Sequence, residues 1–187
     1  TLPRVERRSV ERQGRLQEDA VDVRACGDRA AVGDVVPDGD VGGLERGAYD
    51  LVLSVFTFDN IPTIERKVAL FGGLGERLGE GGRIVSLVSS PEIYLNEWAS
   101  FSTKDFPENR RAKSGDTVKT VMLDVDDRRP VEDVLCTHED YRDAYRRAGL
   151  EILDVFRPLG RHDEPFAWVS ETRIAPWVIY VLEAAAS

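Results

Sequence analysis

Tyr49–Ser89 constrains the fold more than any other stretch, because it reads as strand, helix and strand with glycines at the second joint. Leu51–Phe56, led by Asp50, is a near-continuous apolar run, the pattern of a strand covered on both faces. Pro62 follows where a first helical turn would sit. Ile64, Val68, Phe71, Leu74 and Leu78 then recur at intervals of three and four, which predicts a helix over Thr63–Leu78. Gly79, Gly81 and Gly82 end that helix, and Arg83–Ser89 is a second buried strand. Two strands joined by such a helix lie parallel, with a right-handed crossover.

The pattern returns later in the chain. His138–Ala148 places Tyr141, Ala144, Tyr145 and Ala148 on one helical face, with Thr137 as N-cap and Gly149 as stop. Glu151–Phe156 reads as the next strand and Trp177–Glu183 as a terminal one. Residues 90–136 lie between the two units as an insertion, polar and aromatic by turns, with one strand expected at Thr117–Val125. An insertion after the carboxyl end of a parallel strand lies where α/β sheets bind their ligands. The expected organisation is one α/β domain over residues 35–187, interrupted at 90–136.

The start of the chain is different in kind. Residues 1–48 contain no Phe, Trp, Tyr, Ile, Lys or Met, and carry eight arginines and ten acids. Such a segment buries little area against its ordering entropy, so residues 1–34 are expected to be atypical, either disordered or not native to the domain. Arg4–Ala20 has no convincing apolar stripe.

Composition narrows the partners. A formal charge of −9 over 187 residues disfavours nucleic acid. The longest apolar run, Trp177–Leu182, is far below the ~20 residues a bilayer span needs, so no membrane partner is expected. Arg4, Glu6, Arg7 and Arg8 occupy the place of a signal peptide's apolar stretch, and Cys26 and Cys136 make no disulfide framework. A reducing, cytoplasmic setting is the expectation. No metal site is expected: Asp124, Asp126 and Asp127, next to Arg128, Arg129 and Pro130, read as a charged turn, and neither His138 nor His162 has a partner at ligand spacing. The residues leave the oligomeric state open.

Several pieces in order carry a family resemblance: Tyr49-Asp50-Leu51-Val52-Leu53-Ser54, a helix, Gly81-Gly82-Arg83-Ile84-Val85, then Tyr141, Tyr145 and Ala148-Gly149-Leu150 before a closing apolar strand. Over roughly residues 38–185 this resembles the class I S-adenosylmethionine-dependent methyltransferases. The resemblance implies a Rossmann-like sheet, mostly parallel with an antiparallel last strand, S-adenosylmethionine as cofactor, and a small organic molecule as methyl acceptor. One departure stands out. The family's first strand ends in a glycine-rich turn that cradles the cofactor, and no apolar strand before a Gly-x-Gly lies upstream of Tyr49. By that measure the domain is expected to be N-terminally incomplete and its activity impaired.

The same resemblance assigns candidate residues. Asp40, ten before Asp50, would accept from the adenine amine with Val41 beside it, Gly33-Asp34 being the fallback; a solvated turn explains Asp40 equally well. Ser54, Val55 and Phe56 would face the sulfonium end, or simply pack in the core. Asp59 and Asn60 follow the strand where cofactor and substrate meet, although they also suit a helix cap. In the insertion, Glu92, Tyr94 and Trp98, with Trp168 and Glu171 beyond it, combine aromatic walls and carboxylates suited to a small substrate; a lid packed for stability would use the same aromatics. Glu92, Glu97 and Asp59 are the candidate bases for a protonated acceptor. The alternative is a non-catalytic methyltransferase-like binding module, in which Ser54, Asp40 and Trp98 would be packed shut. A nicotinamide oxidoreductase is disfavoured, since the chain has neither Gly-x-Gly-x-x-Gly nor Tyr-x-x-x-Lys.

Overall fold

A computed structural model describes residues 41 and 43–185, together with two backbone segments further upstream. Those segments, β1 (Ala20–Val21) and β2 (Gly33–Asp34), pair antiparallel. Arg4, Cys26 and Asp40 lie outside the described residues.

The apolar run after Tyr49 forms β3 (Tyr49–Val55), and the Thr63 side chain caps helix α1 (Ile64–Gly75) by accepting from the Arg66 amide at 3.3 Å. The helix ends three residues earlier than its apolar spacing predicts. Gly72, Gly73 and Gly75 crowd its last turn, and each costs about 1 kcal/mol against alanine. Leu78 instead opens β4 (Leu78–Ser89), where it pairs with Tyr49 while Arg83 pairs with Leu51. The intervening glycines form a bulge: Gly81 has φ 73°, and a Cβ on Gly82 would meet the Tyr49 carbonyl oxygen at 2.7 Å.

Further along are β5 (Phe101–Ser102), β6 (Thr117–Met122), β7 (Pro130–Val134), α2 (His138–Arg147), β8 (Leu150–Phe156) and β9 (Trp177–Ala184). Thr137 and Asp140 close a capping box at the start of α2, as the spacing predicts. The main sheet has the order β3-β4-β9-β8. Strands β3 and β4 pair in parallel, whereas β9 is antiparallel to both its neighbours. The antiparallel last strand is as expected, but the sheet as a whole is mixed. The reason is position: β9 enters between β4 and β8, so it converts what would be one parallel ladder into two antiparallel ones.

Both helices lie on one face of this sheet. Val52, Ile84 and Leu182 form one buried row there, and Ser54, Ser86 and Tyr180 the next. Phe71 stacks on Phe58 at 3.6 Å and meets Tyr145 edge-on at 4.7 Å, and Tyr145 meets Tyr180 at 5.1 Å. The opposite face carries Leu53, Val85 and Val181 in one row, then Val55, Leu87, Ile179 and Phe156, all half-buried or exposed. The apolar run of β3 is therefore fully buried on one side and only partly covered on the other.

The insertion is a second sheet, β5-β6-β7, all antiparallel, with its own core of Ile93, Tyr94, Trp98, Val118 and Leu135. It has three strands where the sequence suggests one. Asp124–Arg129 falls in the hairpin between β6 and β7, and Asp127 pairs there with Arg129 at 2.6 Å.

Candidate active site

The carboxyl end of β3 turns sharply. Phe56 sits in the left-handed region at φ 57°, ψ 1°, donates its amide to Leu87 O at 2.9 Å, and accepts from the Asp59 amide at 3.2 Å. A bulky residue rarely adopts this conformation outside sites where the surroundings impose it. The turn continues as a short 3₁₀ segment, Thr57–Asn60. Phe56 is half-buried, its ring tilted against Trp177 with centroids 5.8 Å apart, and Val55 beside it is 44% exposed. These residues make an aromatic corner at the carboxyl edge of the sheet, where Trp177 also packs against the core of the insertion.

The other residues expected around the cofactor are placed differently. Ser54 faces the helices, fully buried, and its hydroxyl has no hydrogen-bond partner among the described residues. Val41 is buried in the same core. Asp40 lies outside the described residues. As a seat for S-adenosylmethionine, the exposed Val55 and half-buried Phe56 side chains fit, whereas Ser54 lies behind the sheet from that corner.

Asp59 is not the cap of α1, a role Thr63 fills. Its carboxylate is buried and doubly engaged, accepting from the Ser89 amide at 3.0 Å and from the Tyr141 hydroxyl at 3.1 Å. Burial and the neighbouring Asp133 raise its pKa to about 6, against the opposing effect of those hydrogen bonds. Asn60 beside it is exposed.

In the insertion, Trp98 and Tyr94 are buried in the local core. Trp98 donates Nε1–H to Ile93 O at 2.8 Å, and Tyr94 donates its hydroxyl to Asp133 at 3.1 Å. Glu97 braces the loop by accepting from Ser102 at 2.7 Å and from the Thr103 amide at 2.8 Å. Those bonds outweigh burial and hold its carboxyl below the usual range. Glu92 is half-buried. Trp168 donates to Glu164 at 3.1 Å and lies 4.8 Å from Phe166, while Glu171 accepts from the amides of Ala99, Val169 and Ser170. Glu171 thus stitches the 168–171 loop to the insertion.

Three groups have partners that the sequence did not reveal. Lys67 is buried on the core face of α1, donates to Phe58 O, and lies 5.6 Å from the Tyr141 ring centroid. A lysine in an apolar stripe counts as an error until its partner is seen. His138 Nδ1 lies 2.9 Å from the Tyr180 hydroxyl. Burial and Arg157 lower the His138 pKa, with Glu92 opposing, so the ring is held toward its neutral form. Asp133 is the third, brought by β7 toward Asp59.

Two clefts lie on the helix side. One, of about 530 Å³, is lined by Arg142, Tyr145, Arg146 and Glu151; the other, of about 450 Å³, lies between Thr63, Lys67, Cys136 and Asp140. Neither is lined by Val55 or Phe56. The Cys136 thiol is buried, which pushes its pKa up to about 12 and leaves it unreactive. Among the described residues no helix is long and apolar enough to cross a membrane.

No protein-family model matches the sequence, and no curated protein does. Solved structures do. A Listeria monocytogenes protein assigned to the S-adenosylmethionine-dependent methyltransferases aligns with a TM-score of 0.55 at 17% identity, over 77% of this chain and 65% of that one. A methyltransferase of the same description from Mesorhizobium loti gives 0.49 at 17% identity, over 74% and 63%. One from Clostridium acetobutylicum gives 0.45 at 12%, over 74% and 59%. This chain therefore spans between 59% and 65% of the length of these structures. Its fold is of the class I methyltransferase type.

Proposed function

We propose that this chain is a methyltransferase of the class I type, using S-adenosylmethionine to methylate a small organic acceptor at the carboxyl edge of β3 and β4. The observation that carries the reading is the strained Phe56 turn, set open at the sheet edge of a methyltransferase-like fold. The cofactor would supply a methyl group on a cationic sulfur. Val55 and Phe56 would hold its sulfonium end, Ser54 would back that strand from the helix side, and Asp40 with Val41 would hold the adenine. Asp59, Tyr94 and Trp98 would shape the site from beneath, leaving Asn60, Glu92 and Trp168 toward the acceptor. Displacement at a methyl carbon needs alignment above all, so most of the rate would come from holding the acceptor in line. A protonated acceptor would also need a base, for which the half-buried Glu92 is the candidate, Glu97 and Asp59 being held in hydrogen bonds of their own.

The chain upstream of Tyr49 has no glycine-rich turn after an apolar strand, so cofactor binding is expected to be weak. A cytoplasmic setting agrees with the cysteine content. Calorimetric titration with S-adenosylhomocysteine tests the reading, using the chain itself and Phe56→Ala. Saturable heat that Phe56→Ala reduces supports it; no binding by either at millimolar ligand removes it.

A second reading has its own support. Ser54 and Trp98 are packed shut and Tyr94 is engaged with Asp133, which favours a methyltransferase-like binding module. A chain that binds no S-adenosylhomocysteine but is retained by a protein partner through its insertion would establish it.

A further inference from the structure

The seam between the insertion and the main sheet holds a polar cluster, in which Asp59 is buried and Asp133 half-buried. From the sheet side come Asp59 on the 3₁₀ turn, Tyr141 on α2 and Lys67 on α1; from the insertion side come Tyr94 and Asp133, with Cys136 just beyond β7. Asp59 is bonded to Ser89 and Tyr141, and Asp133 to Tyr94, so each carboxylate is anchored in its own half. We propose that Asp59 and Asp133, one from each side of this seam, make it a pH-responsive joint between the insertion and the sheet.

The charges on the seam do not balance. Tyr94, Tyr141 and the Cys136 thiol are all held neutral by burial. Fully ionised, these described residues therefore hold two carboxylates against one ammonium, that of Lys67. Like charges in a dry site repel, and the cheapest relief is a proton on one of the acids. Burial raises both carboxyls, and each has a specific modifier: Asp133 adds to the shift at Asp59, while Tyr94 and Lys67 oppose the shift at Asp133. Because the two acids interact, the proton belongs to the pair.

Opening the seam would hydrate both acids and return them to ordinary carboxylate behaviour. The closed form therefore binds more protons than the open form. Its advantage is complete below the ordinary carboxylate range, near pH 4, and is lost as pH rises through about 6. The insertion should then sit tightly on the sheet in acid and loosen toward neutrality. Since the seam lies directly beneath the Phe56 turn, its opening would change the floor of the candidate site whatever ligand is held there.

The test is native-state amide hydrogen exchange on the full chain at pH 5.0 and 7.5, corrected for intrinsic exchange rates. Opening of the Tyr94 turn and β7 should increase roughly 10-fold between the two conditions, with much less change in β4 and β9. Asp133→Asn should weaken that response, the burial of Asp59 retaining part of it. Carbon NMR titration of the wild-type Asp59 and Asp133 carboxyls supplies a second reading that needs no variant. A titration near pH 6 supports the joint. The proposal is overturned if both acids titrate near 4, or if Asp133→Asn folds and responds to pH as the wild type does.

Discussion

The two faces of the main sheet are built from the same four strands and serve opposite purposes. On the helix face, Val52, Ile84, Val88, Val178 and Leu182 are completely buried under α1 and α2. On the other, Val55 and Phe156 are 44% and 52% exposed, and the side chains between them are only half-covered. Apolar content does not distinguish the two faces; what lies over them does. The helix face carries the buried core of the domain, and the other face ends in the Phe56–Trp177 corner, the proposed ligand site.

That contrast can be broken by substitution. Phe71→Ala removes a ring buried between Phe58 and Tyr145, and should cost about 3–5 kcal/mol in denaturant melts. A loss below about 1 kcal/mol would mean that the helix face is not the principal core. Gly82→Ala forces a Cβ toward the Tyr49 carbonyl oxygen in the bulge between β3 and β4, with an expected cost of roughly 1–3 kcal/mol. An unchanged urea midpoint would show that the bulge is looser than drawn. Thr137→Ala removes the capping box of α2 and should cost about 1 kcal/mol, with Thr137→Ser largely restoring it. The smallest effect is expected on the open face, where Val55→Thr should stay within about 0.5 kcal/mol in the same melts. A large loss at Val55 would mean that something covers this face after all.

Much of the helix face could be read in the sequence, because it rests on periodicity. The spacing of Tyr141, Ala144 and Tyr145, and the Thr137 cap, locate α2 to within a residue. Glu151–Phe156 and Trp177–Glu183 differ from the observed strands by single residues at their ends. The phase of α1 is less clear: Lys67 and Leu70 point inward with Phe71 and Leu74, and a lysine in that stripe hides the true centre of the face. One-sided coverage of β3 was not legible, since Leu51–Phe56 has the same composition whether one or both sides are packed.

The insertion was legible only in part, for a different reason. Its strand Pro130–Val134 is short, with a proline and two acids among its five residues, and the insertion's order depends on particular hydrogen bonds. Asn109, for example, donates to Tyr94 O and Lys119 O while accepting from the Lys119 amide. No periodicity announces such a brace. The site shows the same limit, because the Asp59–Tyr141 bond joins positions 82 residues apart. The residues at the end of β3 were locatable from the strand pattern; the partners that hold them come from helices and an insertion far along the chain.

The most direct measurement is hydroxyl-radical footprinting of the chain with and without saturating S-adenosylhomocysteine. Protection concentrated at Val55, Phe56 and Trp177, with Phe71 and Leu182 unreactive in both states, is the result a site on the open face predicts. Unchanged labelling of Val55 and Phe56 at saturation, or protection confined to the clefts beside α2, would contradict it.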